Sequence, residues 1–169
     1  MIYNDIKHIL RHFRFQGRYV GAEELTSGNI NVSYRLFYRR PDGSELSYVL
    51  QRINTVAFHD PEGLMENIHR VTAHIAAAVK ARGEDPARRT LEFIPTTDGA
   101  YLYRDDQGRY WRADVFISGA TAYNSITDPR LFYEAGRGFG EFQRSLSDFP
   151  AEQLTETIPD FHHTTKRFY

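Results

Sequence analysis

The chain contains no cysteine, a single tryptophan, two methionines, and neither an internal repeat nor a low-complexity tract. Without cysteine there can be no disulfide, zinc–thiolate site or thiol nucleophile, a composition suited to a reducing compartment. No apolar run approaches the ~20 residues of a membrane-spanning helix. Asp5, Lys7, His8 and Arg11 interrupt the first thirteen residues, which therefore lack the apolar segment of a secretory signal. Neither sign of charge dominates. Lys and Arg number 21 and Asp and Glu 22, for a net charge of −1, so no global field steers the chain to nucleic acid or anionic lipid. The expectation is a cytoplasmic protein with no nucleic-acid and no membrane partner.

What is present is a globular composition, 41% hydrophobic and 25% charged, with 14% aromatics drawn from Tyr and Phe, which favours a core containing a sheet. Ile2, Ile6, Ile9, Leu10 and Phe13 recur at helical spacing and predict a short helix over 2–14. Alternating, β-favouring stretches at 19–25, 32–38 and 46–53 predict three strands. The turn cluster Thr26-Ser27-Gly28-Asn29 separates the first two, and Pro41-Asp42-Gly43-Ser44 is a hairpin signal between the second and third. Asp60-Pro61 opens the clearest helix, 60–82, whose apolar face is Leu64, Ile68, Val71, Ile75 and Val79, with Gly83 as its stop. Residues 91–95, 100–103 and 110–117 then predict a β-meander. A small-residue linker at 118–125 leads to a second helix from Asp128-Pro129 to about Asp148, with Leu131, Ala135, Phe139, Phe142 and Leu146 on one face. The tail from Leu154 to Tyr169 has scattered apolar anchors and predicts a helix beginning. The order β–β–β–α–β–β–β is an α+β arrangement. It is not the alternating βαβ of a dinucleotide fold.

Four places can carry chemistry. The turn at Ser27, Gly28, Asn29 and Asn31 offers a glycine and small polar neighbours, which a phosphate-covering loop needs for close backbone approach; an ordinary hairpin turn reads the same way. In Val49-Leu50-Gln51-Arg52, Leu50 and Arg52 share a strand face. That pattern places an apolar residue against a base and a cation on phosphates, or is simply a surface arginine at a strand end. Glu66, on the helix, could hold Arg52 as a strand-to-helix ion pair. Its alternative is an exposed pair with Arg70 at i+4, with Glu62 as the substitute one turn earlier. Val115 and Ile117 flank Phe116 where a strand runs into the linker, a place where backbone groups can read a base. Other constellations are weaker. His8 and His12 sit at i,i+4 without the glutamate of an HExxH helix, His162 and His163 are adjacent, and Asp105-Asp106 belong to a turn.

Taken together these stretches resemble the aminoglycoside phosphotransferase and choline kinase superfamily, and most of all its N-acetylhexosamine kinases. The resemblance rests on Ser27 to Tyr34, Tyr48 to Thr55, Asp60-Pro61-Glu62 with Met65 to Ile68, and Tyr110-Trp111-Arg112 leading to Phe116-Ile117. It continues in Phe139 to Gln143 and Ile158 to His162, in order along the chain. It implies a protein-kinase-like N-lobe over 1–117, with a hinge and the start of a helical C-lobe over 118–169. It also implies ATP and Mg²⁺ as cofactors and an amino sugar as acceptor. Two departures stand out. The family's loop often carries His where this chain has Asn29, and its His-x-Asp-x-x-x-x-Asn catalytic loop does not occur in residues 1–169. The resemblance thus implies a longer protein whose catalytic Asp and Mg²⁺ ligands lie in a C-lobe that this segment does not carry. The segment itself would then bind nucleotide weakly at best, without transferring phosphate, and could self-associate through the Phe139, Phe142 and Leu146 face. A different class of reading is a non-catalytic nucleotide-binding or scaffold domain. A third is a single-strand nucleic-acid binder using the aromatic meander, which the balanced charge disfavours.

Overall fold

The structure is a computed structural model that describes residues 2–26, 28–123, 125, 126 and 128–168. Helix α1 (Ile2–Leu10) precedes three strands, β1 (Arg18–Leu25), β2 (Val32–Arg39) and β3 (Glu45–Arg52). Helix α2 (Pro61–Ala81) follows, then β4 (Tyr103–Arg104) and β5 (Tyr110–Val115), and finally α3 (Pro129–Ser145) and the short α4 (Thr164–Phe168). The five strands form one antiparallel sheet in the order β1-β2-β3-β5-β4. The chain is α+β, as its pattern of strands and helices predicts. Among the described residues no helix is long and apolar enough to cross a membrane.

The local signals work because each is satisfied within a few residues. Gly43 takes φ +85° in the β2–β3 turn, where Arg40 N–H donates to Ser44 C=O at 2.8 Å and Ser44 N–H donates to Asp42 Oδ1 at 2.9 Å. Asp60 caps α2 by accepting from Gly63 N–H at 2.9 Å, with Pro61 at the first helical position, where no amide partner is lost. At its far end Gly83 adopts φ +74° and donates to Lys80 C=O at 2.9 Å, which stops the helix.

The sheet has two unlike faces. On one, Tyr34, Leu36, Tyr38, Tyr48, Leu50, Trp111 and Ala113 are buried against Ile6, Ile9 and Leu10 of α1 and against Phe13. Ile9, Leu36, Leu50 and Ala113 have no measurable exposure, and each fully buried Leu or Ile contributes about 1.5–3 kcal/mol. The alternate positions, Ser33, Arg35, Gln51, Arg112 and Asp114, must occupy the other face because side chains alternate along a strand. That face is largely polar, though Phe37 and Val49 also belong to it, and α2 lies over its β5 side, where Arg112 Nη1 approaches Met65 Sδ at 3.6 Å.

Three predicted features take a different form. Residues 91–95 are not a strand of a meander. They make an isolated bridge, Phe93 to Asp114, with Ile94 N–H on Ala113 C=O and Val115 N–H on Glu92 C=O. Pro95 has no N–H to extend that ladder, and the chain turns instead to bond residues 12–14, with Arg14 N–H on Pro95 C=O at 2.9 Å. Helix α1 ends at Leu10, short of 14, because Phe13 is drawn into a bridge with Thr96. On α2 the buried residues are Pro61, Gly63, Met65, Ile75 and Val79, while Ile68 and Val71 are half-buried and line an apolar groove of about 390 Å³ toward Phe142 and Leu154.

Candidate functional site

The turn between β1 and β2 lies at the sheet end that carries Arg52, since Val32 pairs with Arg52 and Arg52 with Trp111. Ser27 lies outside the described residues. A Cβ added at Gly28 would meet nothing closer than Asn31 C=O at 4.0 Å, so the space beside it is open. Asn29 is exposed. Asn31 is committed to the turn itself: its Oδ1 accepts from Asn54 N–H at 3.0 Å, while Asn54 Nδ2 donates to Ile30 C=O at 3.2 Å. Asn54, just past β3, therefore staples the turn to the end of that strand. Its signal in the sequence was an Asn directly after a strand, a residue type whose short amide side chain readily bonds local backbone.

Leu50 and Arg52 do share a face, but it is the α1 face. Leu50 is wholly buried in the core, and Arg52 is half-buried in the register of Trp111. Leu50 is thus closed to any ligand. A shift of one residue along a strand exchanges the two faces, and the β3 positions that look toward α2 are Val49 and Gln51.

The pair anticipated between Arg52 and a glutamate of α2 is not formed, because the two groups belong to opposite sides of the sheet. Glu66 is exposed and bonds Arg70 at i+4. Arg70 in turn donates to Gln153 C=O at 2.6 Å. The Glu62 carboxylate is a neighbour of the Tyr110 hydroxyl and, with burial, raises the phenol pKa. Asn67 completes a latch to the C-terminal segment: its Nδ2 donates to Thr155 C=O at 2.7 Å and its Oδ1 accepts from Thr155 N–H at 2.9 Å.

At the other end of β5, Val115 N–H donates to Glu92 C=O at 2.9 Å and Phe116 N–H to Ser47 C=O at 3.0 Å. The amides of Val115 and Phe116 are therefore spent on neighbouring backbone, and Ser118 C=O accepts from Arg88 Nη1 at 2.5 Å. Val115, Phe116 and Ile117 all line a cavity of about 550 Å³ between α2 and residues 86–93, within the usual range for small-molecule sites. Its other walls include Phe93 and the stacked pair His69 and Tyr101, whose rings lie 4.7 Å apart. Phe116 also carries the Arg35 guanidinium 4.0 Å from its ring centroid.

Between the turn and the cavity runs a polar relay. Gln51 Nε2 donates to Ser33 Oγ at 3.0 Å, and Arg112 Nε donates to Gln51 Oε1 at 3.0 Å, linking β2, β3 and β5 across the sheet. Asp114 is buried on the same face and accepts no hydrogen bond among the described residues. Burial pushes its carboxyl up to about 7, with the Arg112 charge opposing. Ser33 and Arg112 fall within stretches that carry the family resemblance, but nothing local marks them or Asp114 as site residues, because each is an ordinary residue in an alternating strand. Among the described residues no three His, Asp or Glu side chains are grouped to hold a metal ion. No family model matches the chain.

Proposed function

We propose that residues 1–117 are the nucleotide-binding lobe of an ATP-dependent small-molecule phosphotransferase, with an amino sugar of the N-acetylhexosamine kind as acceptor. The observation that carries this reading is the division of the sheet. One face is apolar and sealed by α1, whereas the other is polar and joins an open glycine turn at one end to a cavity at the other. Tyr48 pairs with Val115 and Arg52 with Trp111, so the cavity and the turn are separated by four residues of strand, roughly 13 Å. That span suits a nucleoside triphosphate with its base against Phe116 and Ile117 and its phosphates toward Gly28. A single helix inserted after the third strand, and helices following the last, also agree with the element order of a kinase N-lobe.

The lobe's part in the reaction is to position and to neutralise charge, which is most of what phosphoryl transfer asks of a protein. Amide resonances of the 19.6 kDa chain provide the test. Titration with Mg·ATP is expected to move resonances at 28–31 and at 116–118 together, saturably, with ADP competing. Millimolar Mg·ATP that leaves both regions unmoved in the folded chain would refute the proposal.

A further inference from the structure

We infer that Arg112, on β5, is the phosphate-facing cation of the site, standing in for the charge that β3 does not present toward α2. The inference rests on the nucleotide reading above and adds a residue to it. The β3 positions on the face that α2 meets are Glu45, Ser47, Val49 and Gln51, none of them a cation, and Arg52 belongs to the opposite face. Arg112 is the direct register partner of Gln51 and sits beside it, its Nε bonded to Gln51 Oε1 and its Nη1 against Met65 Sδ. The Nη2 group makes no hydrogen bond among the described residues. A guanidinium has five N–H donors in a fixed fork suited to phosphate oxygens, so an unused edge remains.

The electrostatics point the same way. Arg112 is half-buried, and burial lowers its pKa from the ordinary value, a loss the Asp114 charge only partly offsets. No carboxylate closes an ion pair on it among the described residues, and Asp114 itself is held partly neutral near pH 7. A buried cation short of counter-charge is costly until an anion arrives. The relay through Gln51 to Ser33, the second residue of β2, ties the guanidinium to the strand that begins at the open turn.

The test compares ATP, ADP and adenosine on the whole chain by the same resonance titration, in wild type and four variants: Arg112→Gln, Arg112→Lys, Arg52→Gln, and Gln51→Arg combined with Arg112→Gln. Loss of a charge-assisted contact is expected to weaken ATP and ADP about tenfold or more in Arg112→Gln, while adenosine is unaffected. Arg52→Gln is expected to stay within about twofold of wild type. Returning a cation to β3 in the double variant should recover most of the ATP affinity, which a purely structural role would not do. The inference fails if Arg112→Gln binds ATP as wild type does, or if Arg52→Gln carries the loss. If Arg112→Gln unfolds or loses adenosine as well, the lysine and double variants decide, and equal loss of ATP in both overturns the assignment. A wild-type chain that binds no nucleotide at all overturns the parent reading and this one with it.

Discussion

Asp105 and Asp114 are both buried, at 6% and 9% exposure, yet their surroundings drive them in opposite directions. Asp105 accepts from Gln107 N–H, Arg109 N–H, Arg109 Nε and Trp111 Nε1. Burial alone would raise its carboxyl, but these bonds outweigh it and hold the pKa below the ordinary value. Its folded pKa lies below the unfolded one, so it stabilises the fold above the unfolded pKa, and that stability is lost as pH falls through the folded pKa. Asp114 accepts no hydrogen bond among the described residues, and burial pushes it up to about 7. Here the folded state binds the proton more tightly than the unfolded state, whose Asp titrates near about 3.9. Stability therefore declines as pH rises from about 4 to about 7, at no more than about 1.4 kcal/mol per pH unit, and then levels off. Asp114→Asn is expected to remove that decline, so urea unfolding at pH 5 and pH 8 should differ less in the variant than in wild type. Equal differences would mean that the carboxyl is well solvated.

Helix α2 shows how much an element owes to its first turn. Gly63 is a poor residue for a helix interior, and replacing it with Ala would ordinarily gain about 1 kcal/mol. Here the added Cβ would fall 2.2 Å from Asp60 Oδ2, so the cap must move. Losing an N-cap costs about 0.5–2 kcal/mol. Gly63→Ala is accordingly expected to be neutral or destabilising, and a thermal melt showing a clear gain would mean that the cap is dispensable. The ends of α2 were legible in the sequence because Asp60, Pro61 and Gly83 act on atoms within four residues of themselves. The 91–95 stretch was not legible, for the converse reason. Its fate depends on residues 12–14 and 113–115, which no local window contains.

Across the whole molecule burial is uneven. Strands β2 and β3 carry the fully buried Leu36 and Leu50, whereas no side chain of α3 is buried and Phe132 and Phe139 are about 70% exposed. A helix with three internal glycines, Gly136, Gly138 and Gly140, and no buried face has little to hold it closed. Amide hydrogen exchange is expected to be fastest in α3 among the long helices and slowest in the centre of β2 and β3, with α2 between them. Protection in α3 equal to that of β3 would show that its apolar stripe is covered in solution. The latch from Asn67, Arg70 and His74 to residues 148–155 places the region after α3 against α2, and Glu66 braces it through Arg70.

The sequence alone determined the ends of α2, the β2–β3 hairpin and the α+β class. Each of these follows from short-range chemistry: caps, turn glycines and the period of apolar residues. Only the tertiary structure decided which face of β3 meets α2. Alternation along a strand defines two faces but does not say which one a distant helix will cover. Helix α1, by burying Leu50, left Gln51 and Arg112 on the polar side, and so moved the candidate phosphate contact from β3 to its neighbour in the sheet.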